Sequence, residues 1–214
     1  MPLRAAAICG LLASLTFIAA LLLGDLAQPD AFSPANDDIS DLGARTADQA
    51  WLYNQIGSNL NGLLIVAFAL GLWRALGSGW LPRLGILGLM IIGLTRFFEG
   101  FLRLDCRGID IGCENSSWQA DGHRIESGIA AALLVLVPPV LAFALRRLPH
   151  WRDLWLPTLL SVPVGIAASV AFSLIGNGAA VRAASVVWFL WLGLLAWRLL
   201  RIADEGTVER ASEG

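Results

Sequence analysis

The sequence predicts an all-α integral membrane protein, a bundle of six transmembrane helices with both termini in the cytoplasm. Three observations predict it. Of the 214 residues, 57% are hydrophobic and only 15% are charged, whereas soluble domains average roughly 25% charged residues. Six segments are apolar over roughly 20 residues, the length that crosses a bilayer as a helix. All fifteen basic residues are arginine, and most of them lie on one side of these segments.

The six predicted spans are separated by connections too short to hold a soluble domain. They cover about residues 5–24, 56–76, 84–104, 125–145, 156–176 and 183–202. The two longer connections, about 25–45 and 105–122, are polar, and a charged tail, 203–214, follows the last span. We therefore expect a single transmembrane domain over residues 1–214. Arg4 ahead of an apolar stretch is also typical of a cleaved signal peptide, although the stretch is long for one.

The arginines orient the predicted bundle. In a layout with six spans, nine of them share one side: Arg4, Arg74, Arg83, Arg146, Arg147, Arg152, Arg198, Arg201 and Arg210. Because cytoplasmic connections carry the excess of basic residues, we expect the two longer loops outside and the chain in the plasma (inner) membrane. Basic and acidic residues number 15 and 17, which leaves no polybasic patch and excludes a nucleic-acid partner.

Two of the three cysteines, Cys106 and Cys113, lie in the second outer loop. Compartments outside the cytoplasm are oxidising, so we expect a structural disulfide between them. A redox-active pair is a weaker alternative, because the Cys-x-x-Cys spacing is missing, and metal binding by the two thiols is weaker still. Cys9 lies in the first span, where it is expected to pack as a small apolar residue.

Polar residues inside a span are costly and usually face the bundle interior or a wet cavity. Thr46 and Gln49 have the spacing of a capping box, so the second helix is predicted to begin there, well ahead of its span. Asn54, Ser58 and Asn61 follow at i, i+4 and i+7 and form one stripe. They either make interhelical hydrogen bonds or line a ligand cavity.

The third and fourth spans bring charged residues to the same outer end. Arg96, Glu99 and Arg103 share one helix face, either as a structural ladder of ion pairs or as ligand-binding groups. His123 and Glu126 share a face at the start of the fourth helix. A carboxylate can orient a histidine for acid–base work, and the alternative is a hydrogen-bonded structural histidine.

A divalent metal is the second chemical option at this end. Asp105, which follows the third helix, would hold it together with His123 and Glu126. A set rich in carboxylates favours calcium, magnesium or manganese over zinc. A three-histidine zinc site is excluded, because His150, the other histidine, lies on the cytoplasmic side. No other cofactor is expected.

The first outer loop mixes apolar residues with Asp37, Asp38, Ser40 and Asp41. Such a segment is either a solvated, turn-rich loop or a lid that folds back over the mouth of the bundle. As a lid it would bring Ser40 and Asp41 to the site as further candidate catalytic residues.

Several short motifs fall at these same places. They are Ser33-Pro34 and Ile39-Ser40-Asp41-Leu42-Gly43 in the first outer loop, Asn61-Gly62 in the second span, Gly100-Phe101 with Asp105-Cys106 after the third, and Gly122-His123 before the fourth. At these motifs the chain resembles the bacterial and archaeal six-span membrane proteins known as domain of unknown function 998. The resemblance covers about residues 11–200. The resemblance implies the fold and an outer polar site. It implies no activity, because the family has no agreed one.

Together these features predict an outward-facing polar pocket that binds a lipid or amphiphile at the outer leaflet, and they leave open whether it modifies that molecule. For an acid–base or metal-assisted enzyme, the candidate catalytic residues are Ser40, Asp41, Asp105, His123 and Glu126. For binding, the candidates are Asn54, Ser58, Asn61, Arg96, Glu99 and Arg103. The alternatives are a non-catalytic binding or transport protein and a structural membrane subunit.

Overall fold

The computed structural model describes residues 1–212, with side chains described up to residue 205, and confirms the six-span, all-helical fold. Within residues 1–212 there is no strand, and six helices are long and apolar enough to cross a membrane. They are α1 (Leu3–Leu26), α2 (Leu52–Ala75), α3 (Trp80–Glu99), α4 (Trp118–Leu145), α5 (Trp155–Ser173) and α6 (Asn177–Ser212). Most of the predicted tail, 203–214, continues α6; residues 213 and 214 and the side chain of Arg210 lie outside the described residues.

The helices form a closed ring, because each one packs against its neighbours in sequence and α6 returns to α1. The large, fully buried side chains come from α2, α3, α4 and α6, and they include Ile65, Phe68, Leu72, Ile86, Leu89, Leu141, Leu192 and Leu199. We call the end that carries the connections 27–51 and 100–117 the outer end. The predicted placement of the termini in the cytoplasm stays a prediction.

Gly62 allows α2 and α3 to approach closely. A Cβ atom at this position would lie 2.4 Å from the carbonyl oxygen of Gly93 and 2.4 Å from the backbone nitrogen of Phe97. Small residues at such points let the backbones of membrane helices touch. The contact fixes the outer half of α3 against the start of α2.

The start of α2 differs from the prediction. The helix begins at Leu52, and no capping box forms. Thr46 Oγ1 donates to the carboxylate of Asp110 and accepts a hydrogen bond from the backbone of Arg107 at 3.3 Å, while Gln49 has a left-handed φ of 51°. Because a carboxylate is a strong acceptor, the second outer loop engages the hydroxyl that would have capped the helix.

The first nine residues of α2, Leu52–Leu60, form a π-helix. In a π-helix the backbone hydrogen bonds run over five residues instead of four, and such turns often occur at functional sites. The wider turn changes which side chains share a face. The three polar residues predicted to form a stripe, Asn54, Ser58 and Asn61, are nevertheless all buried.

The end of α3 also differs from the prediction, which extended the span to about residue 104. The helix ends at Glu99. Gly100, which follows the helix, lies directly against α2, where a Cβ would be 2.3 Å from the carbonyl oxygen of Asn54. Arg103 therefore lies outside α3.

The outer loops pack on one another and are tied by covalent and ionic contacts. The predicted disulfide between Cys106 and Cys113 is confirmed. Arg107 donates to Asp110 at 3.0 Å and to Gln28 at 3.1 Å. The hydrogen bonds from Arg107 lower the pKa of Asp110 to about 2. The two loops thus form one layer over the outer end.

Candidate ligand-binding site

A cavity of about 280 Å³ lies near the outer end, enclosed by α1, the start of α2, α3, α4, α6 and the first outer loop. Its polar lining residues are Asp38, Ser40, Tyr53, Arg96, Glu99, His123, Glu126, Ser127 and Ser185. Its apolar lining residues are Phe17, Ile39, Ile92, Ala130, Ala131, Leu134, Val181, Trp188 and Phe189. We refer to Tyr53, Arg96, Glu99, His123, Glu126 and Ser127 as the polar cluster.

Glu99 lies at the centre of one half of the polar cluster. Its Oε1 accepts a hydrogen bond of 2.8 Å from the Tyr53 hydroxyl, and its Oε2 pairs with Arg96. Arg96 also donates to the carbonyl oxygen of Gly57 at 2.6 Å, and its guanidinium lies 5.1 Å from the ring centroid of Phe17. A buried carboxylate needs such partners, and these contacts hold both charged groups in place.

His123, Glu126 and Ser127 form the other half, on one face of α4. Ser127 Oγ donates to Glu126 Oε1 at 3.0 Å and lies 3.4 Å from His123 Nε2. His123 Nδ1 lies 3.8 Å from Glu126 Oε1, which is too long for a hydrogen bond. Among the described residues, His123 Nδ1 and Glu126 Oε2 are buried without a hydrogen-bond partner. Buried polar atoms are rarely left so, and both belong to the cavity wall.

The polar cluster joins donor atoms from two helices. Three residues each offer one atom that could bind a metal ion: Glu99, His123 and Glu126. These three atoms all lie within 4.8 Å of one another. All three side chains are buried. The structure therefore groups Glu99, and not Asp105, with His123 and Glu126 as groups that could hold a cation.

Asp105 and Arg103, which follow α3, lie outside the cavity. The Asp105 carboxylate accepts a hydrogen bond of 2.9 Å from the backbone of Ser117, and hydrogen bonds from Ser117 lower its pKa. It thereby helps to fix the turn that leads into α4. Arg103 donates weakly to the carbonyl oxygen of Gly100 at 3.4 Å and forms no ion pair with the described residues. The structure brings Arg96 and Glu99 together, without Arg103.

The first outer loop covers part of the cavity. Asp38 and Ser40 line it. Asp41 is buried behind them, where its carboxylate accepts a hydrogen bond of 3.1 Å from the backbone of Gly108, and burial raises its pKa. Asp37 accepts from the backbone of Ser33 at 2.6 Å. The loop thus places Ser40, and not Asp41, at the cavity.

The three polar residues of α2 predicted as a stripe do not line the cavity; they are Asn54, Ser58 and Asn61. Asn54 donates to the carbonyl oxygen of Gly43 at 3.0 Å, and Asn61 donates to that of Ala13 at 2.5 Å. The Ser58 hydroxyl is buried and has no partner within the described residues. For Asn54 and Asn61 the contacts favour the packing alternative, in which they tie the loop and α1 to α2.

Residues 11–198 match the family described as a protein of unknown function (DUF998). The chain belongs to the DUF998 family. The match includes the whole cavity wall of this DUF998 protein, from Phe17 to Phe189. No curated protein and no solved structure matches the chain significantly.

Most lining residues of this DUF998 protein, including Tyr53 and Trp188, are not among the sequence-predicted site residues. Tyr53 is the single tyrosine of the chain. Its position next to Asn54 in a membrane helix was the one sequence feature that could have indicated a site residue. Trp188 is buried on α6, with its ring centroid 5.0 Å from that of Phe189. No spacing along the sequence indicates that this side chain lines the cavity.

Proposed function

We propose that this DUF998 protein binds a lipid or another amphiphile in the cavity at the outer end, in the outer leaflet of the plasma membrane. The polar head would meet the polar cluster, and the apolar part would lie against the side chains from α1, α4 and α6. The observation that carries the proposal is the division of one cavity into these two parts. Ligand sites of this type are mostly apolar, with a few polar groups that fix orientation.

Access from the membrane supports an amphiphilic ligand. Ala131 and Val181 line the cavity and are also among the exposed residues, Val181 by 45%. The neighbouring outer half of α5 is also exposed, with Val170 64% and Leu174 90% accessible. In a bilayer this surface meets lipid rather than water, so a ligand that partitions into the membrane reaches the opening by lateral diffusion.

The size of the cavity indicates how much of the ligand it holds. Its volume of about 280 Å³ lies just below the range of roughly 300–1,000 Å³ for small-molecule sites. It accommodates a headgroup with the first part of a chain. The rest of the chain would extend through the opening beside Ala131.

Two adjacent alanines of α4 provide a matched test. Ala131 lines the cavity, whereas Ala132 is exposed and does not. Native mass spectrometry of the protein in mild detergent should detect a bound amphiphile in the wild type and in Ala132→Phe, and should show its loss in Ala131→Phe. Equal occupancy in both variants, or no bound species in the wild type, would contradict the proposal.

A second candidate function, acid–base catalysis, is favoured by one arrangement. Ser127 Oγ faces His123 Nε2, while the other ring nitrogen faces Glu126. The order of nucleophile, base and orienting carboxylate found in covalent catalysis would form if the Ser127 hydroxyl turned its hydrogen from Glu126 to His123 and the 3.8 Å between His123 and Glu126 closed. An enzyme of this type should be labelled at Ser127 by a fluorophosphonate lipid, and the labelling should disappear in His123→Ala. Absence of labelling in the wild type would contradict this candidate.

A further inference from the structure

We propose that Glu99, His123 and Glu126 bind a divalent metal ion that bridges α3 and α4 at the polar end of the cavity. The site goes beyond amphiphile binding and does not depend on it, because none of its ligands comes from the apolar wall. It also differs from the set that the sequence indicates, since Asp105 is held by Ser117 outside the cavity.

The geometry brings the donor atoms close to ligating distances. One atom from each residue lies within 4.8 Å of the other two, and His123 Nδ1 and Glu126 Oε1 are 3.8 Å apart. Donor atoms at adjacent positions of an octahedral ion with bonds of about 2.1 Å are separated by roughly 3.0 Å. Small side-chain rotations therefore close the set around an ion.

Unpartnered atoms point independently to a ligand. His123 and Glu126 are each only 7% exposed, and within the described residues His123 Nδ1 and Glu126 Oε2 have no hydrogen-bond partner. Leaving such atoms unsatisfied is costly. A cation between them satisfies both, because each presents a lone pair when the histidine is neutral.

The charges of the polar cluster also favour a cation. Two carboxylates, Glu99 and Glu126, face a single guanidinium, that of Arg96. When both carboxylates are ionised, the surplus is negative and buried, and burial of an unpaired charge is unfavourable. Arg96 does not exclude a metal from Glu99, because a carboxylate has about four lone-pair positions and the described contacts use two of them.

Neighbouring side chains hold the ligands in orientation. Tyr53 donates to Glu99 Oε1, and Ser127 Oγ contacts both His123 Nε2 and Glu126 Oε1. Such outer contacts fix the ring and carboxylate positions of metal ligands. The contact at Nε2 leaves Nδ1 as the ligating atom of the histidine.

The donor set indicates the class of ion. Two carboxylates suit hard ions such as Mn²⁺ and Mg²⁺, whereas the imidazole adds affinity for a transition metal. Mn²⁺ meets both preferences and is the probe for the site. The three protein ligands leave further positions open toward the cavity, where water or the head of an amphiphile completes the coordination.

The test measures Mn²⁺ binding to the purified, chelator-treated full-length protein by electron paramagnetic resonance titration. We expect one tight equivalent in the wild type, with affinity at least tenfold lower in Glu126→Gln and in His123→Ala. Matched controls are Glu114→Gln in the exposed second outer loop and His150→Ala at the inner end, which should bind as the wild type does. Ala131→Phe should also bind normally, because it alters only the apolar wall.

Thermal unfolding of each variant shows whether a loss of Mn²⁺ binding reflects a missing ligand or a protein that has not folded. Mn²⁺ should raise the unfolding temperature of the wild type, because a ligand that binds only the folded state stabilises it, and should leave that of Glu126→Gln unchanged. Absence of tight Mn²⁺ binding in the wild type overturns the metal site, as does unchanged binding in a folded Glu126→Gln protein. If either of these results is found and Ala131→Phe still loses the bound amphiphile, the metal site is rejected and the proposed function stands.

Discussion

The Tyr53 hydroxyl donates a hydrogen bond of 2.8 Å to Glu99 Oε1 in the interior of the bundle. This contact joins the π-helical start of α2 to the last residue of α3. It holds the carboxylate of Glu99 beside Arg96 at one wall of the cavity. The polar cluster therefore depends on the unusual turn of α2 as well as on the charged residues of α3 and α4.

Tyr53→Phe should destabilise the protein by about 2 kcal/mol, because a hydrogen bond to a charged group contributes roughly 1.5–3 kcal/mol and the carboxylate stays buried. The measurement is denaturant unfolding in detergent. A double-mutant cycle with Glu99→Gln isolates the pair. Strictly additive effects of the two substitutions would show that the hydroxyl and the carboxylate do not interact.

The six membrane-spanning helices could be predicted from the sequence, because the length of each apolar segment is a local property that the thickness of a bilayer requires. The pairs Arg96 with Glu99 and His123 with Glu126 were also predictable, since each lies within one turn of one helix. The grouping of Glu99 with His123 was not, because it depends on how α3 is rotated against α4. Asp105 was misplaced for a related reason: the helix ends at Glu99, about five residues before the end that its apolar pattern suggests.

Gly62→Ala should destabilise the protein by about 3 kcal/mol or more, because the added methyl group would overlap backbone atoms of α3 that cannot move separately. Gly128→Ala on α4 is the matched control, since a Cβ there meets nothing within 4 Å. The control should stay within about 1 kcal/mol of the wild type. Thermal unfolding compares the two, and equal effects would contradict the close contact of α2 with α3.

The contribution of Asp110 to stability should depend on pH. Its pKa is about 2 in the folded protein, against 3.8 for a free side chain. A lowered pKa means that the ionised form stabilises the fold above pH 3.8 and that this stability is lost as the pH falls toward 2. Asp110→Asn should therefore unfold at a lower temperature than the wild type at pH 6, and the difference should shrink below pH 4.

The matched control for Asp110→Asn is Glu114→Gln, an exposed residue of the same loop. Its difference from the wild type should stay small throughout this pH range. A constant difference between Asp110→Asn and the wild type down to pH 2 would show that the ion pair with Arg107 is not what stabilises the loop.

The disulfide should protect its cysteines and stabilise the outer layer. Without reductant, a thiol reagent should leave Cys106 and Cys113 unmodified in the unfolded protein and modify only Cys9. Replacing both loop cysteines by alanine should cost about 2 kcal/mol, the chain-entropy value for a short closed loop. Peptide mass spectrometry and thermal unfolding provide the two measurements; alkylation of either loop cysteine before reduction would contradict the bond.

Both termini are predicted to lie in the cytoplasm, because the arginine-rich connections flank the end opposite the two outer loops. A reporter active only outside the cytoplasm should be inactive when it is fused after Gly214 and active when it is inserted in the loop that holds Glu114. The reverse pattern would place the cavity at the cytoplasmic face.

Photo-crosslinking with a diazirine-labelled amphiphile, followed by peptide mapping, tests the central claim that the outer cavity is a ligand site. The labelled residues should lie in the wall formed by α4 and α6, around Ala131 and Val181, and labelling should fall in Ala131→Phe but not in Ala132→Phe. Labelling confined to the exposed side of α5, around Val170, and unchanged in both variants would mean that lipid only surrounds the bundle and does not enter it.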